Sequence, residues 1–235
     1  PTPHGRQGFL PPRSTVRGLE HRTDYDWGTL LESNAPADPY ELFARWLTDA
    51  ESAGEPEFNS MALATVADGR PTVRNVLLRG VDGDGHLQFF TNRDSRKGVE
   101  LAAEPHVGLL FSWLGIHRQV RIDATAVPAP DEVSDEYFAS RPRESRIGAW
   151  ASEQSSVLAD RAQLESQVAA AVQRFGDGDV GRPPNWGGYL VTPTAWEFWQ
   201  GRPSRLHDRL RYRRDLDGAQ TGGPGARWIR ERLSP

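Results

Sequence analysis

SMALATVADGRPTVRNVLLR, residues 60–79, reads as two strands meeting at Asp68-Gly69. Asp-Gly between two such runs is hairpin chemistry, because both residues tolerate the left-handed backbone of a tight turn. Strands are expected at 60–67 and 71–79. In the second, alternation sets Arg74 beside Val76 and Leu78 on one face, and Arg79 beside Val73, Asn75 and Leu77 on the other. Two guanidiniums therefore leave one apolar strand in opposite directions. Ends reaching solvent at a barrel rim explain this most simply; ligands for two anions are the alternative.

The pattern continues downstream. Further strands are expected at 86–92, after the turn Asp82-Gly83-Asp84-Gly85, and at 107–113 and 119–127. A short helix over 95–103 crosses between the third and fourth strands, and another over 130–141 stops at Pro142. Residues 159–175 form the longest helical stretch, and a Gly/Pro linker follows at 176–184. Late strands are expected at 187–191, 195–200, 205–213 and 226–233, with Gly222-Gly223-Pro224-Gly225 as a loop. Upstream, Asp38-Pro39 is an N-cap followed by proline at the first helical position, and Leu42, Phe43, Trp46 and Leu47 recur at helical spacing, giving a helix over 39–52. Residues 1–36, rich in Pro, Gly, Arg and Ser, read as a flexible arm or lid, and 37–235 as a single domain. Many antiparallel strands with peripheral helices indicate a mainly β or α+β class, a closed or split antiparallel β-barrel. No G-x-G-x-x-G opens a helix, which excludes a Rossmann fold.

Composition narrows the function. The 235 residues contain no cysteine, so disulfides, thiolate metal sites and cysteine nucleophiles are excluded. The six histidines show no metal-ligand spacing, and no metal is expected. The net charge of −4 argues against a nucleic-acid partner. The longest apolar run, 107–116, is far below the roughly 18 residues of a membrane span, and no signal segment opens the chain, so a cytoplasmic location without membrane contact is expected. Of the 28 basic residues only Lys97 is lysine. A lone ammonium among guanidiniums is chance, or a position where a compact charge is wanted.

Three more segments gather cations or hydroxyls. Phe90-Thr91-Asn92 precedes Ser95-Arg96-Lys97, where basic side chains oppose the dipole of a helix N-terminus unless an anion sits there; a solvated turn is the plain alternative. Arg205, His207 and Arg209 share one face if 205–213 is a strand, beside the aromatic run 196–199; an exposed basic edge strand is the alternative. Tyr137 and Arg141 stand four apart on a helix, and Ser145 can return to the same anion after Pro142, although Arg-Pro-Arg beyond a helix is often only surface.

Together these segments resemble the pyridoxine/pyridoxamine 5′-phosphate oxidase family. The matching pieces are RNVLLR (74–79), FTNRDSRK (90–97), RQV (118–120), YFASRPRESRIGAWASEQS (137–155), WGGY (186–189), EFWQG (197–201), RLHDR (205–209) and RLSP (232–235). Their order holds from about residue 38 to the end. The resemblance implies a homodimeric split barrel with FMN at the subunit interface. It implies oxidation of pyridoxine or pyridoxamine 5′-phosphate to pyridoxal 5′-phosphate, hydride passing from C4′ to flavin N5 and O2 becoming H2O2, as in vitamin B6 biosynthesis. By matching position, Arg74, Asn75, Val76, Leu77, Leu78, Arg79, Phe90, Thr91, Arg96, Lys97, Gln119, Gln154, Ser155, Trp199 and Arg209 are implied to bind FMN, some from the partner subunit. Arg79, Tyr137, Arg141 and Ser145 would meet the substrate phosphate. Arg205, Leu206 and His207 would lie over its ring, Arg205 and His207 as catalytic residues. Arg22 and Tyr25 match the family's Arg-x-x-Tyr lid spacing and would also touch substrate. The family usually carries lysine where Arg79 stands. The competing enzyme is a sister flavin oxidase acting on another ring, such as a phenazine precursor; the competing non-enzyme is a flavin or pyridoxal-phosphate carrier.

Overall fold

The computed structural model describes Tyr25, residues 28–215 and residues 227–235, so Arg22 and the loop expected at 222–225 lie outside the described residues. The first half of the chain contains α1 (Pro39–Ser52), β1 (Ser60–Ala67), β2 (Arg70–Leu77), β3 (Gly80–Val81), β4 (Leu87–Asn92), α2 (Arg96–Ala103) and β5 (His106–Trp113). The second contains β6 (Arg118–Pro128), α3 (Asp131–Ser140), α4 (Arg143–Ala151), α5 (Arg161–Phe175), β7 (Trp186–Gln200), β8 (Asp208–Arg214) and β9 (Trp228–Arg232). Every strand pairing is antiparallel. The strand order is β2-β1-β5-β6-β7-β4-β3, with β8 and β9 branching from β7.

The hairpin at Asp68-Gly69 forms as its chemistry requires, with both residues at positive φ. Beyond it, β2 follows β1 to Leu77, and the Leu78 N–H still donates to the Asn59 carbonyl. The next residue changes partner: the Arg79 N–H donates to the Gln88 carbonyl at 2.8 Å, and β3 continues along β4. One unbroken segment thus joins the two ends of the sheet and closes the barrel.

Phe89, Phe111, Val120, Ile122 and Phe198 are buried inside. The Asp38 side chain caps α1 by accepting from the Tyr40 N–H at 2.9 Å. Phe43 of that helix packs edge-on to Phe111 at 5.0 Å, and Trp46 edge-on to Phe198 at 5.3 Å. Burying each such ring contributes roughly 1.5–3 kcal/mol, which is what holds α1 on the barrel. No described helix is long and apolar enough to cross a membrane.

Four expectations are corrected. The strands expected at 187–191 and 195–200 are one strand, β7. Pro193 sits where the β6 register shifts between Asp123 and Ala124, and a bulge accommodates a residue without an N–H. The 205–213 strand starts only at Asp208, because Pro203 opens a 3₁₀ turn over Pro203–Arg205 in which Ser204 and Arg205 adopt positive φ. Arg205 and His207 therefore do not share a strand face with Arg209. Helix α4 was not expected at all. Finally, residues 28–36 are docked: Leu30 and Ala35 are buried in the main core, and Asp208, Arg232 and Tyr212 hydrogen-bond to their backbone.

Candidate active site

The crossing from β1 to β4 forms one wall of a cavity of about 480 Å³. Asn75, Val76, Leu77 and Arg79 line this wall; Phe90 and Thr91 of β4, Lys97 of α2, Tyr137 and Arg141 at the end of α3, Ser145 of α4, Gln154 and Trp186 line the rest. Among the described residues, three cations face the space and no carboxylate does.

The Lys97 ammonium donates to Thr91 Oγ1 at 3.0 Å, Ser95 Oγ at 3.1 Å and Gln154 Oε1 at 2.7 Å. All three acceptors are neutral. Burial, and then the nearby Arg74 guanidinium, pull its pKa down to about 8 against a weaker opposing pull from Glu100. The Arg96 backbone N–H donates to Ser155 Oγ, and Ser155 holds a positive φ of 76°. Strain of that kind in a non-glycine residue is common where a binding loop is over-determined.

The Phe90 and Tyr137 rings stack at 3.9 Å, with Trp186 parallel to both. Gly188 makes this possible, since a Cβ there would meet a Phe90 ring carbon at 2.8 Å. The Arg141 guanidinium lies 4.6 Å over Trp186. Its Nη1 is buried and without a hydrogen-bond partner among the described residues. Burial lowers its pKa and Arg79 adds to the effect, with Tyr137 opposing. A desolvated cation beside a second cation, with a donor left over, is an arrangement that an anionic group completes.

A second cluster lies elsewhere. Gln119, Trp199 and Arg209 sit side by side across β6, β7 and β8. Trp199 contacts the His207 ring at 4.6 Å, and Tyr25 stands edge-on to Trp199, His207 and His117. Tyr25, Gln119 and Trp199 line a separate cavity of about 230 Å³ that shares no residue with the first. Thr91 pairs with Gly187 at the start of β7, whereas Trp199 lies twelve residues further on. At about 3.3 Å per residue that is roughly 40 Å of strand contour.

Residues 47–175 match the family model described as pyridoxamine 5′-phosphate oxidase, and residues 186–235 match the pyridoxine 5′-phosphate oxidase C-terminal dimerisation region. The chain belongs to the pyridoxamine 5′-phosphate oxidase family. A pyridoxine/pyridoxamine 5′-phosphate oxidase from Burkholderia multivorans is 54% identical over 215 residues, covering 91% of this chain and 97% of the relative. One from Paraburkholderia phymatum is 52% identical over 223 residues, covering 94% and 100%. Among solved structures, PhzG from Burkholderia lata in complex with tetrahydrophenazine-1-carboxylic acid superposes with a TM-score of 0.78 at 32% identity, covering 88% of this chain and 98% of that one. A pyridoxamine 5′-phosphate oxidase-related, FMN binding protein from Nostoc punctiforme shares the fold at 18% identity and a TM-score of 0.63, covering 88% and 100%. The split-barrel expectation stands.

Against the pattern of this oxidase family, the structure separates the expected site residues into two groups. Asn75 to Leu77, Arg79, Phe90, Thr91, Lys97, Tyr137, Arg141, Ser145 and Gln154 share the first cavity. Leu78 is buried in the core beside it, and Arg96 and Ser155 line an adjoining space. Gln119 and Trp199 belong to the second cavity, with His207 against the Trp199 ring. Arg205 stands on the turn before His207, and Leu206 is 70% exposed. Two expected ligands have their donors engaged. Arg209 places Nε and Nη2 on Glu197 Oε1, and Nη1 on the Ser234 carbonyl. Arg74 donates to Thr65, Thr72, the Leu63 carbonyl and Glu100. Sequence reasoning missed Glu100, whose four-residue spacing from Arg96 was the available signal. It also missed Trp186, the floor under Arg141, although WGGY (186–189) is one of the matching pieces.

Proposed function

We propose that this chain is a homodimeric FMN oxidase that converts pyridoxine or pyridoxamine 5′-phosphate to pyridoxal 5′-phosphate. The observation that carries this reading is the 480 Å³ cavity, faced among the described residues by Arg79, Lys97 and Arg141 and by no carboxylate, in a protein of net charge −4. Its cations fall into two groups, Lys97 near Arg74 and Arg141 near Arg79, which suits two phosphorylated ligands. The residues fit FMN: Lys97, Arg96, Thr91 and Ser155 would hold the phosphate, and the wall from Asn75 to Leu77 would lie along the ring system. When bound, FMN supplies the hydride acceptor for oxidation at C4′ and is regenerated by O2 with release of H2O2.

The chain's own groups bind and aim. Arg141, with Tyr137, Ser145 and Arg79, clamps the substrate phosphate; in a desolvated site such contacts are stronger than in water. Fixing one end of a small substrate orients its reactive carbon, and orientation of this kind accounts for several kcal/mol of barrier, up to about 7–11 in the best cases. Burial, then the Arg205 charge, lowers the His207 pKa and favours the neutral ring. The Arg202 N–H donates to His207 Nδ1, so neutral His207 keeps its proton on Nε2 and presents a donor to the substrate. The two clusters lie far apart along β7, which supports a complete site made from the first cluster of one copy and the second of another.

A second reading follows from the similarity to PhzG: oxidation of a reduced phenazine carboxylate, which carries no phosphate. Anaerobic mixing of the FMN-loaded protein with each compound separates the two. Bleaching of the visible absorbance by pyridoxamine 5′-phosphate is expected. Bleaching by the phenazine compound alone overturns the proposal in favour of the second reading, and bleaching by neither indicates a carrier.

A further inference from the structure

Glu100 is a buried carboxylate in the middle of the cationic cluster, and nothing in the chemistry above uses it. Its side chain is 4% exposed. Oε2 accepts from Thr65 Oγ1 at 2.5 Å, Thr72 Oγ1 at 2.7 Å and Arg74 Nη2 at 2.8 Å. Oε1 accepts from Arg96 Nε at 2.8 Å. Burial alone would raise its pKa, but the donors Thr65, Thr72, Arg96 and Arg74 outweigh burial and bring it down to about 2. The group is ionised at any working pH.

An acid beside an anion site is a liability unless it does something the cations cannot do alone. Here it ties back both guanidiniums. Arg74 is held inward by Glu100, Thr65, Thr72 and the Leu63 carbonyl. Arg96 is anchored only through Nε, so its two terminal nitrogens donate to nothing among the described residues. An arginine on a first helical turn is otherwise a long, mobile side chain, and here it is 66% exposed. The i,i+4 contact to Glu100 converts it into a fixed fork with both outer donors open. Charge also comes into balance, since Arg74, Arg96 and Lys97 less Glu100 leave two positive charges, and a phosphate monoester carries about two negative ones.

We propose that Glu100 is a positioning residue for the cofactor phosphate, holding Arg96 by Nε so that its terminal nitrogens and the Lys97 ammonium are presented to that group. The inference rests on the FMN reading above and adds a residue that no phosphate would touch.

The test compares FMN with riboflavin, which lacks the phosphate, by quenching of flavin fluorescence on titration into the cofactor-free full-length protein. Wild-type protein is expected to prefer FMN strongly; no preference would sink the FMN reading itself. In Glu100→Gln, FMN affinity is expected to fall about tenfold or more, the scale of one charge-assisted contact, while riboflavin affinity stays within about threefold. Glu100→Asp should recover part of the loss. A Glu100→Gln protein that keeps its FMN preference, or loses FMN and riboflavin equally, overturns the positioning role while leaving the FMN reading intact. If that variant does not fold, Thr72→Val serves. It removes one donor from Oε2 and one acceptor from Arg74, keeps every charge, and must lower the FMN preference in the same direction for the proposal to stand. In an Arg96→Met background, Glu100→Gln should cost little more, because the fork it positions is gone.

Discussion

The backbone N–H of Arg202 donates to Nδ1 of His207 at 3.0 Å, while the guanidinium of the same Arg202 donates to the Gly28 carbonyl at 2.8 Å. One residue therefore orients the imidazole and fastens the backbone at Gly28. The Arg205 charge, acting after burial, disfavours the imidazolium. Removing that charge by Arg205→Gln should raise the His207 pKa, so that the ring protonates at a higher pH than in wild type. Imidazole titration followed by NMR reads the shift directly. An unchanged or lowered pKa would mean that Arg205 does not face the ring.

Lys97 predicts how cofactor retention responds to pH. Its pKa in the cofactor-free protein is about 8, below that of a free lysine, so charge is lost as pH rises through that value. FMN affinity should hold up to about pH 8 and then weaken, while the cofactor-free protein itself gains stability between about 8 and the ordinary lysine range, because the unfolded chain then binds more protons. Lys97→Met should abolish the alkaline weakening, bind FMN poorly throughout, and melt no lower than wild type without cofactor. Titrations at several pH values and calorimetry check both halves.

Gly201 has no room for a side chain: a Cβ would lie 2.6 Å from a Tyr25 ring carbon and 2.9 Å from the His117 Cβ. Gly201→Ala should therefore displace Tyr25 and raise KM for the phosphorylated substrate several-fold, with a smaller loss of FMN affinity, since the contacts of Lys97, Arg96 and Thr91 are untouched. Overpacking of this kind costs about 1–3 kcal/mol where nothing yields. Steady-state kinetics beside FMN titration tells the two effects apart.

Complementation tests the shared site. Lys97→Met damages one cluster and Trp199→Ala the other. If each site takes one cluster from each copy, refolding an equal mixture should restore about a quarter of wild-type activity, because half of the dimers are mixed and each of these has one intact site of two. No recovery, with mixed dimers demonstrated, would place both clusters in service of a single chain.

Much of the barrel was legible because its signals are local. The capped, periodic stretch that forms α1 and the Asp-Gly turn between β1 and β2 each specify their element within a few residues. The readings that failed depended on distant partners. The stretch 187–200 reads as two strands, and only the register shift opposite, between Asp123 and Ala124, carries it through Pro193 as one. Pro203 and the left-handed Ser204 and Arg205 diverted a basic run that alternated like a strand. Residues 28–36 have an unstructured composition, yet side chains from β8 and β9, far along the chain, satisfy their backbone. In the site, residue types and spacing pointed to the cations, whereas the grouping of those cations into two clusters depends on β7 pairing with β4 at one end and β8 at the other.

Leu78 and Arg79 shut the barrel at the same place where ligands are to sit. A chain emptied of its flavin lacks a strut across that join, and strand β2 should be the first part to let go, exposing its amide hydrogens to exchange. Loss of the flavin should then loosen this polypeptide as well as silence it, so that added FMN raises its melting temperature.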